Sequence, residues 1–303
     1  MAESGLPWYL VHTSAACGAQ GRHDSTGWIL CSRGCERRRA GSPVAGDIMR
    51  EKLTIIVPTY NCERTLRRCL ESAQWADEVL VVDSFSTDGT LDIARALANR
   101  VVQHEYENSA AQKNWIIPQA AHPWVMILDS DECIPQTLRA SIERALSAPG
   151  RFDAFRIRRR SYFFGRLIRF SGWQNDWMVR LFRRDKGHYE PLHVHADVAV
   201  SGPVGELKGC LLHDPYENLS DYLDTLDRYT TWAAKDLLER GRRAHWYTMA
   251  FRPAFSFFRD YILRGGFLDG LQGLMLCQLS AFYVLVKYAK LWHLQKRSEA
   301  ERG

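Results

Sequence analysis

Asp129, Ser130, Asp131 and Glu132 follow directly on the apolar run Val125-Met126-Ile127-Leu128. The run reads as a buried central strand of a parallel sheet. Ligands of open α/β sheets lie just beyond the carboxyl ends of such strands. On an extended chain Asp129 and Asp131 point the same way. Two carboxylates converging there suit a divalent cation such as Mg²⁺, which takes one or two carboxylates and fills its shell with substrate phosphates. The competing reading is an acidic turn that caps the helix after Pro135.

A second acidic centre lies in Gly172-Trp173-Gln174-Asn175-Asp176-Trp177. Asp176 is flanked by two indoles. Burial between them would raise its proton affinity toward the range of a general base. Glu190 and Asp197 are the alternatives for that role. The structural reading of Asp176 is an ion pair to Arg180, four residues on. His193 and His195 share a face by strand periodicity, and His213 makes a third possible metal ligand. A cation on a diphosphate calls for carboxylates more than histidines.

Arginines crowd residues 151–215: Arg156, Arg158, Arg159 and Arg160, then Arg166, Arg169, Arg180, Arg183 and Arg184. A guanidinium binds phosphate or carboxylate bidentately. The stretch suits an anionic acceptor or a diphosphate, and the other reading is an edge strand protected by charge. No nucleic-acid recognition motif accompanies it.

The elements that position these groups follow from periodicity. Leu53 to Pro58 is a buried strand that stops at proline, with Thr59-Tyr60-Asn61 as its exit loop. Glu63 to Ala73 is a helix with Leu66 and Leu70 on one face. Val79 to Val82 is a strand ending at Asp83. Leu91 to Leu97 is a helix, Val101-Val102 a short strand and Ala110 to Ala121 a helix. Trp124 to Leu128 is a strand and Gln136 to Leu146 a helix. This alternation means a parallel sheet with right-handed crossovers.

Three motifs now carry a resemblance. They are Ile56-Val57-Pro58-Thr59-Tyr60-Asn61, Val81-Val82-Asp83-Ser84-Phe85-Ser86-Thr87-Asp88-Gly89-Thr90 and Leu128-Asp129-Ser130-Asp131-Glu132. In this order and spacing they resemble the inverting glycosyltransferases of family 2, over roughly residues 52–140. The resemblance implies an α/β fold: a nucleotide-binding, mostly parallel sheet flanked by helices (the A-type glycosyltransferase fold), with a helical C-terminal appendage. It implies a nucleotide-sugar site at Pro58, Thr59, Tyr60, Asn61, Asp83, Lys113 and Asp129. Asp83 would accept a hydrogen bond from a uracil N–H, and Lys113 would face the diphosphate or stay solvated. Asp129 would lie near the ribose, and Asp131 would hold Mg²⁺ or Mn²⁺. Asp88 reads as a turn and cap residue. The sequence departs from the family pattern at three points: Phe85 replaces a small residue, often Gly; Asn175 replaces a Glu; and Ala196 stands where many relatives place a Glu.

The full span 52–294 is most similar to the lipopolysaccharide-core glucosyltransferase-like branch. Arg252-Pro253, Arg264-Gly265-Gly266-Phe267-Leu268-Asp269-Gly270 and Lys287-Tyr288-Ala289-Lys290 carry that likeness. The implied activity moves a sugar, glucose or a related hexose, from a UDP-linked donor to a lipid-linked or lipopolysaccharide-core saccharide. A nucleotidyltransferase would show a Gly-rich basic loop after the first strand, and Pro58-Thr59-Tyr60-Asn61 is not one. A non-catalytic sugar- or membrane-binding protein derived from a transferase is the remaining alternative.

Composition fits. The 303 residues are 46% hydrophobic with a net charge of +5 and eight cysteines without paired spacing. That suits a reducing compartment, here the cytoplasmic face of the membrane. Residues 1–48 lack period and read as a disordered or loosely packed leader. Its Cys17, Cys31 and Cys35 with His12 and His23 fit no common zinc module. Met49 directly precedes the first strand, so the leader is expected to be dispensable. Residues 49–215 form the catalytic domain. Residues 216–303 form a helical, membrane-associating region: a long helix from Asn218 to Arg240, then aromatic and basic residues interleaved. Phe267 to Leu294 is expected to lie in the membrane interface as a basic amphipathic helix, or to pack as a helical hairpin.

Overall fold

The computed structural model describes residues 50–190 and 197–300. The leader, His193, His195 and Ala196 lie outside the described residues. From Arg50 onward the chain forms one compact unit.

Four strands run parallel: β1 (Leu53–Thr59), β2 (Glu78–Asp83), β3 (Arg100–Gln103) and β4 (Trp124–Ile127). Their spatial order is β3-β2-β1-β4. Every side chain of β2 and β4 is buried, which requires cover on both faces. Helices α1 (Glu63–Ala73), α2 (Thr90–Leu97) and α3 (Ser109–Ile116) connect these strands. On α1, Leu66, Cys69, Leu70 and Ala73 turn inward, the spacing of one helical face. The direction of strand addition reverses at β1 and β4, and the crevice at such a switch point is where ligands bind.

The helix expected over Ala110 to Ala121 stops at Ile116, and Ile117–Gln119 is a single 3-10 turn. Pro118 has no N–H to extend the helical ladder, and its ring crowds the preceding turn. Asn108 caps α3 by accepting from Ala111 N at 2.9 Å.

The acidic stretch departs from an extended chain. Asp129–Glu132 is a tight turn in which Glu132 N donates to Asp129 O at 2.9 Å. Glu132–Cys133 then forms β5, and α4 (Gln136–Ser147) follows. The rest of the sheet mixes directions. β6 (Ala154–Phe163) pairs antiparallel with β7 (Arg166–Leu167) and with β8 (Asp176–Arg183), and β8 pairs antiparallel with β4. After β9 (Gly187–Tyr189) and β10 (Val198–Val200), β11 (Val204–His213) runs parallel to β6. β5 closes the edge antiparallel to β11, with His213 opposite Glu132.

The C-terminal helices are α5 (Leu219–Glu239), α6 (Trp246–Phe258) and α7 (Gly270–Ala300). Asn218 caps α5, accepting from Asp221 N at 3.0 Å. Gly241, at φ +67°, follows its last turn, a conformation glycine adopts at no steric cost. Tyr222, Leu226 and Leu276 pack on Phe163 and Ile168, which joins the helices to the β6–β7 hairpin. α7 packs against both α5 and α6.

Candidate functional site

Loops after β1 and β2 interlock at the carboxyl edge of the sheet. Asn61 N donates to Ser86 Oγ at 2.9 Å, and Thr87 N donates back to Asn61 Oδ1 at 2.8 Å. Asp83 is completely buried beneath them. Its carboxylate accepts from Thr59 Oγ1 (3.1 Å), Ser86 N (3.0 Å), Ser86 Oγ (2.5 Å) and Gln103 Nε2 (3.2 Å). A carboxylate has about four accepting positions, so these protein donors fill it. Asp83 therefore shapes the loop, and a direct bond to a uracil N–H would have to displace one of them. Asp88 ties the turn as expected, accepting from Thr90 N (3.0 Å) and Glu63 N (3.2 Å).

Pro58 is half-buried and Thr59 buried, while the Tyr60 ring is exposed. Phe85 is half exposed at φ +58°. This is left-handed backbone, which costs a non-glycine residue about 1–2 kcal/mol. Glycine would sit there unstrained.

α3 brings three consecutive side chains to the site. Gln112 Nε2 donates to Ser84 Oγ (2.5 Å), and Asn114 exchanges two hydrogen bonds with the Tyr189 backbone (2.9 and 2.8 Å). Between them Lys113 is nearly buried, with Nζ 3.3 Å from Asp129 Oδ1 and 5.1 Å from the Tyr189 ring centroid. It is neither solvated nor free to roam. Burial opposes its charge, yet the Asp129 carboxylate raises its pKa above the ordinary lysine value.

Glu132 is the hub that sequence reasoning missed. It is fully buried. Its Oε1 lies 2.9 Å from Arg180 Nη2 and 3.5 Å from Arg159 Nη1, and its Oε2 accepts from Asp129 N at 3.1 Å. Arg180 also bonds Asp129 Oδ2. Burial works against the Asp129 charge, but Arg180 and Lys113 hold its carboxyl well below the usual carboxylate range. Burial pushes Glu132 up, with Arg180 pulling the other way. Lys113, Arg159 and Arg180 thus face Asp129, Glu132 and Asp176 in one network.

Asp131 turns to the other side, toward β11. Its Oδ2 is 3.4 Å from His213 Nε2, and His213 Nδ1 bonds Ser161 Oγ at 2.9 Å. Burial disfavours its charge, and His213 more than offsets this, lowering the pKa. Asp131 Oδ1 is buried with no hydrogen-bond partner among the described residues. An unmatched buried polar oxygen costs about 1–3 kcal/mol, and a cation there would remove that cost. The described residues contain no cluster of three His, Cys, Asp or Glu side chains able to hold a metal alone. Ligands from a bound diphosphate would have to complete the shell, as Mg²⁺ favours.

Asp176 opens β8 opposite Arg159 on β6. Arg159 Nε donates to Asp176 Oδ2 at 2.7 Å. The expected partner, Arg180, is engaged with Asp129 and Glu132 instead. The indole sandwich is also absent. Trp173 packs edge-on to Phe163, and Trp177 lies under Arg156 (5.7 Å) on the opposite face of the strand. Adjacent strand residues point to opposite faces, so Trp177 cannot flank Asp176. Asp197 feels both Glu190 and Asp176: burial first, then their charges, raise its pKa. Glu190 N donates to Asp197 O at 3.1 Å, so these two candidate bases are neighbours.

Apart from Arg159 and Arg180, the basic stretch resolves into two sets. Arg183 pairs with Glu51 (3.0 Å), Arg184 donates to Ala120 O, Arg158 to Gln174 O and Arg156 to Glu206. These hold the fold. Arg160, Arg166 and Arg169 are exposed.

Comparison with known proteins gives the family of the domain that holds these residues. Residues 54–199 match the domain family Glycosyl transferase family 2. The chain is 29% identical over 247 residues to LpsC of Rhizobium meliloti, a lipopolysaccharide core biosynthesis glycosyltransferase, covering 79% of this chain and 92% of that one. Among solved structures it is similar to a mannosyltransferase of Pyrobaculum calidifontis in complex with GDP-Man and Mn²⁺ (18% identity, 84% and 90% coverage, TM-score 0.48). It is also similar to TarS of Staphylococcus aureus in complex with UDP-GlcNAc (18% identity, 79% and 92% coverage, TM-score 0.44). Residues 54–199 of the chain are a glycosyltransferase family 2 domain.

Proposed function

We infer that this glycosyltransferase moves a hexose, glucose or a relative, from a UDP-linked donor to a lipid-linked or lipopolysaccharide-core saccharide, with inversion and with Mg²⁺ or Mn²⁺. The observation that carries the metal and donor reading is Asp131, whose buried Oδ1 lacks a partner beside a charged network at the switch point of the sheet. Asp131 would hold the cation, with His213 as a second donor and diphosphate oxygens completing the shell. When bound, the cation supplies charge neutralisation for the departing diphosphate.

The chain's own residues do the rest. Tyr60, Asn61 and the loop fixed by Asp83 frame the nucleobase. Lys113 and Arg180 keep Asp129 ionised and fixed, so it can accept from ribose hydroxyls. Asp176 takes the proton of the acceptor hydroxyl as that oxygen attacks C1 and the C1–O bond to the diphosphate breaks. Arg159 holds Asp176 Oδ2, which leaves Oδ1 for the acceptor. Arg160, Arg166 and Arg169 present charge to an anionic acceptor. Residues 49–215 are the catalytic domain and 216–303 the membrane-associating region, at the cytoplasmic face of the membrane.

A thermal-shift screen of UDP-, GDP- and dTDP-sugars with and without Mn²⁺ tests this, because a ligand that binds only the native state raises its stability. A UDP-sugar should give the largest shift, and only with metal. A metal-independent shift, or a larger one with GDP-sugars, would overturn the donor assignment.

A further inference from the structure

We propose that the exposed apolar face of α6 and of the turn that follows is the surface that enters a lipid bilayer, and that it seats the Arg169–Asp176 loop at headgroup level. This deepens the reading of a lipid-linked acceptor and rests on it.

The face is one stripe. Tyr247, Phe251, Phe255, Phe258 and Ile262 recur at helical spacing and all are exposed, Phe251 at 66%. Residues three and four apart on a helix share a side. Leu263 and Phe267 carry the stripe past the helix end. Single exposed apolar residues are ordinary, but a contiguous patch marks a partner.

The charges around it choose the partner. Between Arg240 and Leu271 the acidic residues are Asp260 and Asp269, and both are buried. Arg240, Arg242, Arg243 and Arg252 are exposed in the same span. Trp246, 73% exposed, stands where the basic turn meets the stripe. Glu239 is exposed at the basic turn, as is Glu299, 3.7 Å from Arg243. From Trp246 to Phe267, however, the aromatic rings stand beside Arg252 with Asp260 buried, which suits the interface of an anionic bilayer. A two-fold dimer through this face would bring like-charged arginines together.

α7 was the segment expected to lie in the interface. By length and composition Gly266–Ala300 can cross a membrane. However, its Leu276, Tyr288 and Leu291 are buried against the neighbouring helices, and Lys290 Nζ is held by Asp227 Oδ1 at 2.7 Å. α7 is the support, and α6 carries the free face.

The turn that extends the stripe also grips the catalytic loop. Asp269 accepts from Arg169 N (3.1 Å) and Phe170 N (2.9 Å). Ser171 N donates to Arg264 O at 3.2 Å. Arg264 lies so close over Gly172 that a Cβ there would sit 2.7 Å from Nη1. Asp260 pins both Arg259 and Arg264 at 2.8 Å. Lipid face and loop are therefore one hydrogen-bonded block, with exposed Arg166 and Arg169 at the junction.

The test is flotation of the full chain with vesicles of phosphatidylcholine and phosphatidylglycerol in equal parts. Phe251→Ser/Phe255→Ser/Leu263→Ser should lower vesicle partitioning by about a thousandfold, since each apolar side chain is worth about tenfold. Phe282→Ser/Trp292→Ser, at exposed positions of α7, should float like wild type. Brominated lipid should quench the part of the wild-type emission that Trp246→Phe removes, which tests the face without relying on the triple variant folding. The proposal is overturned if wild type does not float, if the triple variant floats equally, or if the α7 variant is the one that fails. It is also overturned if light scattering shows a dimer that the triple variant splits without loss of flotation. UDP-sugar thermal shifts without vesicles score the transferase reading separately. If they fail, that reading falls and the flotation result still stands.

Discussion

Arg159 Nε donates to Asp176 Oδ2 across the β6–β8 pair at 2.7 Å, and the same guanidinium lies 3.5 Å from Glu132. One arginine thus links the proposed base to the hub beneath the acidic turn. Asp176→Asn keeps the size and removes the charge. Transfer should fall by about 10²–10⁴-fold, the usual worth of a positioned base, while donor and metal binding stay near wild type. Asp197→Asn and Glu190→Gln are the comparisons. If either of those stops transfer and Asp176→Asn does not, the base is that residue.

Asp131→Ala should abolish the stabilisation that Mn²⁺ and the nucleotide sugar give together. Asp131→Asn should fail likewise, since the amide keeps shape but not charge. Without ligand, Asp131→Ala removes the unmatched buried oxygen while giving up the 3.4 Å contact to His213, so the melting temperature of the free protein should change little. Unchanged metal dependence in a thermal-shift titration would move the cation elsewhere.

The parallel half of the fold was legible because apolar runs and one-face helices alternate, and Asp129 and Asp131 stood out by motif, Asp176 by its neighbouring tryptophans. The partners did not. A spacing of four between Asp176 and Arg180 is close on a helix, but on a strand it spans about 13 Å, beyond an ion pair. Asp176 therefore takes the cross-strand Arg159. That register passes an irregularity between Phe155 and Arg156, which local sequence does not signal. Glu132 was hidden for a similar reason. Its burial follows from pairing with His213, 81 residues away, and nothing near Glu132 announces it.

Glu132→Gln should be among the most damaging single changes. It leaves Arg159 and Arg180 short of a buried counter-charge. Breaking a buried pair by removing one partner costs about 3–5 kcal/mol. Urea unfolding should show that loss, and donor binding should weaken because Asp129 loses the bond that its N–H gives to Glu132. A loss below about 1 kcal/mol, the range of surface pairs, would mean the network has rearranged around the amide.

Phe85 tests whether strain at the rim serves the donor. Its backbone sits at φ +58° and its ring is 52% exposed, so the residue is costly and buries little. Both flanking residues are fixed, Ser84 by Gln112 and Ser86 by Asp83 and Asn61. The ring therefore stands at a set place beside the loop expected to frame the nucleobase. Stacking a base on an aromatic ring is worth about 1–3 kcal/mol. Phe85→Gly should hold or raise the stability of the free protein, by up to about 1 kcal/mol, because glycine relieves the left-handed backbone while adding some unfolded-state entropy. The same change should weaken UDP binding by about fivefold or more, read by calorimetry with Mn²⁺ present. Phe85→Trp should retain binding. If Phe85→Gly binds UDP as tightly as wild type, the ring does not touch the donor, and the strain has another use.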